Sequence, residues 1–84
     1  MILHTFNKPS ALEKGQFLVC EGDCVLLLED GVYLALSLET PCFAIKADVL
    51  ARGLSDRLPD NVIQIDYSRF VTLAAQATKV VSWF

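Results

Sequence analysis

Apolar runs in this 84-residue chain never exceed a few residues, far short of the ~20 a helix needs to cross a bilayer, so no membrane span is expected. Met1-Ile2-Leu3 meets His4 at once, without the basic start and longer apolar stretch of an export signal, and the chain is expected to be cytoplasmic. Basic residues are also scarce. Lys and Arg number 7 against 10 Asp and Glu, for a net charge of -3, and they are scattered. Phosphate backbones are held by clustered Lys and Arg, so no direct nucleic-acid contact is expected, and any link to RNA would run through a partner protein.

Glycine is sparse as well. Gly15, Gly22, Gly31 and Gly53 stand alone, and none belongs to a pattern that cradles phosphate, which argues against nucleotide binding. With one His and no Cys-x-x-Cys pair, the chain lacks a zinc spacing, and neither a metal nor another cofactor is expected. Three cysteines, Cys20, Cys24 and Cys42, are an odd set without export context, so they read as reduced thiols.

What the chain has in excess is apolar side chain: 54% of its residues are hydrophobic and mean hydropathy is +0.44. A domain of this size hides only ~60–65% of the surface its unfolded chain exposes. The surplus predicts association, as an oligomer or as a subunit. No repeat, low-complexity tract or linker interrupts residues 1–84, which read as a single domain.

The pattern of elements is an alternation of strands and helices. Ile2 to Phe6 reads as a strand, and Ser10 with Glu13 supplies a capping box for a helix that ends near Gly22, with an apolar stripe of Ala11, Leu12, Leu18 and Val19. Cys24-Val25-Leu26-Leu27-Leu28 is apolar throughout, as in a strand buried on both faces. Asp30 then caps a short helix with Val32, Leu34, Ala35, Leu36 and Leu38, stopped by Glu39-Thr40-Pro41 and apolar enough to lie between subunits. Cys42 to Ile45 makes a third strand, and the helix after it ends at Gly53, a left-handed residue that folds Leu54 back on Val49. Val62 to Ile65 is a fourth strand, Asp66 caps a last helix with its stripe at Phe70, Leu73, Ala74 and Ala77, and Val80 to Phe84 is a β-like tail. Such alternation implies crossover connections, hence an α/β fold: a small three-layer α/β/α sandwich on a mainly parallel sheet of four to five strands.

Among candidate functional residues, Cys20 is the most reachable thiol, but it sits near a helix end beside Glu21, without the cation or helix N-terminus that favours a thiolate. Cys24 and Cys42 open buried strands and read as packed thiols. His4 reads as a satisfied or edge histidine rather than a base, since no acid–base partner is fixed by sequence. Asp30, Asp48 and Asp66 follow strands, where sites in open α/β sheets tend to form, although capping accounts for Asp30 and Asp66. Trp83 and Phe84 either cover the chain's own sheet edge or anchor a partner. Val32, Tyr33, Leu34, Leu36, Trp83 and Phe84 are therefore the candidate subunit interface.

Several segments together carry a wider resemblance: Leu3-His4-Thr5 with Asn7-Lys8, Glu21-Gly22-Asp23, Leu27-Leu28-Glu29-Asp30-Gly31-Val32, Ala51-Arg52-Gly53-Leu54-Ser55, Asp66-Tyr67, Phe70-Val71 and Ser82-Trp83. In this combination, over nearly the whole chain, the sequence resembles the TusB/DsrH family of sulfur-relay proteins. The resemblance implies a non-catalytic subunit of a sulfurtransferase complex, a heterohexamer of two copies each of three related α/β chains. Its implied partners are TusC/TusD-like (DsrF/DsrE-like) sister subunits and a TusE/DsrC-like sulfur acceptor. In the TusB branch the relay serves 2-thiolation of the tRNA wobble uridine, with the sulfur-carrying thiol on a sister subunit. The DsrH branch, found with sulfur oxidation, offers the alternative that Cys20 itself carries persulfide sulfur. A homo-oligomer is a further reading for the isolated chain.

Overall fold

The computed structural model describes residues 1–84. Five strands, β1 (Ile2–Phe6), β2 (Cys24–Leu27), β3 (Cys42–Ile45), β4 (Val62–Ile65) and β5 (Lys79–Trp83), form one sheet in the order β4-β3-β2-β1-β5. Every pairing is parallel. The expected α/β sandwich on a parallel sheet is what the chain adopts, with the tail supplying the fifth strand beside β1.

Handedness then decides where the helices go. From β1 to β4 each connection steps in the same direction across the sheet, so right-handed crossovers put the intervening elements on one face. These are α1 (Ala11–Gly15) with a 3-10 turn at Gln16–Leu18, a 3-10 helix at Glu29–Leu36, and α2 (Lys46–Ala51). The return from β4 to β5 reverses direction, and the same rule sends α3 (Tyr67–Gln76) to the opposite face. The core is divided accordingly. Phe6, Val25, Leu27, Ala44, Val32 and Val49 pack on the first side, and Leu3, Leu26, Ile45, Ile65 and Leu73 on the second. Alternate residues of β2 enter opposite clusters, as a centrally placed parallel strand requires.

Local chemistry explains most element ends. Gly53 has φ +68, its N–H donates to Leu50 O, and the N–H of Leu54 donates to Val49 O at 3.1 Å. That pair of bonds is a Schellman stop, and it buries Leu54 against the core beside Val49. The Asp66 carboxylate accepts from the N–H of Arg69 at 2.8 Å, capping α3 as expected.

Two caps expected from sequence do not form. Ser10 is itself helical in backbone and makes no side-chain cap bond. The chain already turns at Lys8, where Ala11 and Leu12 donate to the carbonyls of Lys8 and Pro9. The first helix is short, tightens to 3-10 at Gln16, and leaves Leu18 exposed rather than on the apolar stripe. Nor does Asp30 cap the next element, which is 3-10 rather than α and ends at Leu36. Its carboxylate turns instead to Arg52.

Gly31 shows why that element is tight. A Cβ there would lie 1.9 Å from the carbonyl oxygen of Phe6, so the backbone of the 3-10 helix rests directly on the end of β1.

Candidate functional site

Cys20 lies in a four-residue turn closed by the N–H of Asp23 donating to Cys20 O at 3.0 Å. Gly22 takes φ +89 at the third position, the requirement of a type II turn. Asp23 locks this turn a second time, because its Oδ2 accepts from the N–H of Cys20 at 3.0 Å. Its Oδ1 accepts from the N–H of Ile2 at 3.0 Å, tying the turn to the start of β1. These backbone donors, first Ile2 and then Cys20, with a smaller contribution from His4, hold the Asp23 carboxyl below the ordinary carboxylate range.

The thiol of Cys20 is exposed and lines a cleft of about 430 Å³ with Glu21, Asp23, Thr40 and Pro41. An adjoining, more apolar cleft of about 350 Å³ is floored by Phe6, Leu12, Val19, Val25 and Leu38. Neither is lined by Lys or Arg. The Sγ of Cys20 lies 3.8 Å from the carbonyl oxygen of Leu18, and Glu21 and Asp23 follow it in sequence. That setting gives a thiolate no cation to lean on. Cys24 is half-buried, and Cys42 is buried with its thiol pushed up to about 11 by desolvation, which keeps it protonated at neutral pH. All three thiols are free.

His4 is only 2% exposed, and both ring nitrogens are engaged. Nε2 is 3.2 Å from Asp23 Oδ2, and Nδ1 accepts from Trp83 Nε1 at 3.1 Å. The histidine is thus a satisfied one, on a strand flanked by β2 and β5 rather than at an edge. Sequence reasoning missed its partners, since Asp23 and Trp83 are 19 and 79 residues away.

At the carboxyl ends of β2, β3 and β4, Asp48 Oδ2 accepts from the N–H of Glu29 at 2.8 Å and lies 3.5 Å from Tyr67 Oη. Arg52 donates to Asp30 Oδ1 at 2.9 Å and to the carbonyl of Asp48. Glu29, at φ +51, is the one non-glycine residue in left-handed conformation, and Asp48 pins it there. Partial burial and the neighbouring Asp48 raise the Tyr67 phenol above its ordinary value. The arrangement is a closed network that fixes a loop. No three His, Cys, Asp or Glu side chains are grouped to hold a metal ion.

The candidate interface divides. Val32 and Leu34 belong to the chain's own core and have no surface left for a partner, because the 3-10 helix presses its apolar side onto the sheet. Trp83 also turns inward, packing against the core and lying against Gly15. Tyr33, Leu36 and Phe84 are exposed. Phe17, 86% exposed, also faces outward with Leu50, Ile63 and Val71, none of them in the candidate interface, and so does Leu18, expected on the buried stripe of the first helix.

A family profile described as "DsrH like protein" matches residues 8–80. Among curated proteins, the chain is similar to Protein TusB of Salmonella arizonae and Protein TusB of Salmonella newport, each 37% identical over 76 residues, covering 79% of this chain and 80% of the relative. Protein TusB of Salmonella agona matches to the same extent. With the profile spanning most of its length and its relatives above a third identical, the chain belongs to the DsrH-like family.

Proposed function

We propose that this chain is a TusB-like subunit of a sulfur-relay complex supporting 2-thiolation of the tRNA wobble uridine, and that it acts chiefly as a structural partner of the sulfur-carrying subunit. Kinship with proteins called TusB carries this reading. The chemistry around Cys20 supports the structural role, since its exposed thiol has no cation among the residues lining its cleft. The outward-facing Phe17, Tyr33, Leu36, Leu50 and Phe84 supply apolar surface for TusC/TusD-like sister chains, in a heterohexamer that hands sulfur to a TusE/DsrC-like acceptor. The 84 residues work as one cytoplasmic domain within it.

The test is complementation of a strain lacking the chain's gene. Thiolated uridine in tRNA, read by mass spectrometry of nucleosides, should fall on deletion and return in full with either the wild-type chain or Cys20→Ser. Restoration by the wild type but not by Cys20→Ser would put the sulfur on this chain and overturn the structural role. No change on deletion would overturn the link to tRNA.

A further inference from the structure

The pair formed by His4 and Trp83 has a defined proton inventory. Indole Nε1 only donates, so at 3.1 Å the Nδ1 of His4 must be the acceptor and carries no proton. The ring proton then sits on Nε2 and points to Asp23 Oδ2 at 3.2 Å. Buried His4 is therefore neutral in this state, one specific tautomer held from both sides.

The two rings are nearly coplanar, 10° apart with centroids at 6.4 Å. They meet edge to edge, the geometry of an in-plane N–H···N bond and not of a stacked pair. An imidazolium above an indole face would gain a cation–π attraction, but at the ring edge the quadrupole is positive and the gain is absent.

We infer that His4 is a proton-operated latch for the Trp83 side chain: the neutral ring holds the indole N–H, and a proton taken up at Nδ1 releases it. The proton comes from solvent and occupies the lone pair that accepted the indole N–H, so that hydrogen bond breaks while Nε2–H stays on Asp23. Asp23 remains a carboxylate, because its backbone donors hold it below the ordinary range, and its contact with His4 becomes an ion pair. The Cys20 turn, fixed by the same carboxylate, stays in place. Only the indole N–H is freed, while the pairing of β5 with β1 and the Lys14 bond to Phe84 remain.

The other ionisable groups on the packed elements do not substitute for the latch. Lys14 of α1 donates to the carbonyl of Phe84 at 2.8 Å, one residue beyond Trp83, and the Met1 ammonium lies 3.4 Å from Thr78 Oγ1. Neither bond depends on the charge of His4. Glu13 of α1, Lys79 of β5 and Glu21 of the turn are exposed, and Cys24 opens β2 with its backbone in register with Leu3. The residues in register with His4 itself are Val25 and Val81, both uncharged.

The chain has one histidine and one tryptophan, so both partners can be followed without assignment. In the full chain, the indole N–H resonance and the carbon-bound imidazole protons are recorded by NMR from pH 8 downward. The indole signal should move to the position of a water-exposed indole with the same midpoint as the imidazole signals. An indole that stays in place while the imidazole protonates, or an imidazole that never protonates before the chain unfolds, would overturn the latch. His4→Gln, which can accept from Trp83 and donate to Asp23 without titrating, should keep its indole signal fixed across that range. If H4Q lost it over the same range, the cause would lie elsewhere.

Discussion

At the scale of single residues, Asp23 carries more than any other side chain, since three elements meet on its carboxylate: the start of β1 through Ile2, the turn through Cys20, and the buried His4. Its carboxyl titrates lower folded than unfolded. Its contribution to stability is therefore complete above the ordinary carboxylate range and is lost as pH falls through the folded value. Asp23→Asn keeps the size but not the charge. The variant should be less stable than wild type at pH 7, and the gap should narrow as pH is lowered toward 3, measured as the urea midpoint at each pH. Gly31 is the second such residue. Because an added methyl would meet the backbone carbonyl of Phe6 and not a movable side chain, Gly31→Ala should cost about 1–3 kcal/mol or more, read by denaturant unfolding. Equal stability of G31A and wild type would mean that the 3-10 helix does not rest on β1. Thiols offer a milder check: a maleimide at neutral pH should label Cys20 in the native chain and spare Cys42 until it is unfolded.

At the scale of elements, strands were legible because the parallel sheet demands apolar runs of the length seen at Cys24–Leu27 and Cys42–Ile45. The Schellman stop at Gly53 and the Asp66 cap were legible because each is written in consecutive residues. Contacts across the sequence were not. Nothing near Ser10 announces that a turn already begins at Lys8, and nothing near Gly15 announces that Trp83 lies on it; a Cβ at Gly15 would come within 2.6 Å of that ring. A 3-10 helix advances ~2.0 Å per residue against ~1.5 Å for an α-helix, so eight residues pinned at Gly31 travel back along the sheet farther than α geometry would allow. That demand comes from the sheet, outside the segment's own residues. Of the candidate site, the exposure of Cys20 follows from its place beside a turn, while the His4–Asp23–Trp83 chain can be found only by folding. Two element-level outcomes follow. Gly53→Ala should lose about 1–2 kcal/mol, the cost of a side chain at φ +68. Leu73→Ala, at the buried centre of α3, should lose about 2–5 kcal/mol in the same unfolding assay.

At the scale of the whole molecule, the division of the core explains why the chain keeps so much apolar surface. Three short elements cover one face of the sheet, but a single ten-residue helix must cross the other, and Ile63 of β4 and Val80 of β5 remain exposed. Phe17, Leu50 and Val71 add apolar surface on the helical layers. No helix is long and apolar enough to take this surface into a membrane. The proposed role as a subunit would place this surface against partner chains. The most direct measurement is sedimentation velocity on the chain purified alone and after co-expression with the two proposed partner chains, one DsrE-like and one DsrF-like. One co-migrating species that contains all three chains and is several times heavier than this chain is expected. A chain that sediments as the same monomer with and without those partners would contradict the proposed role.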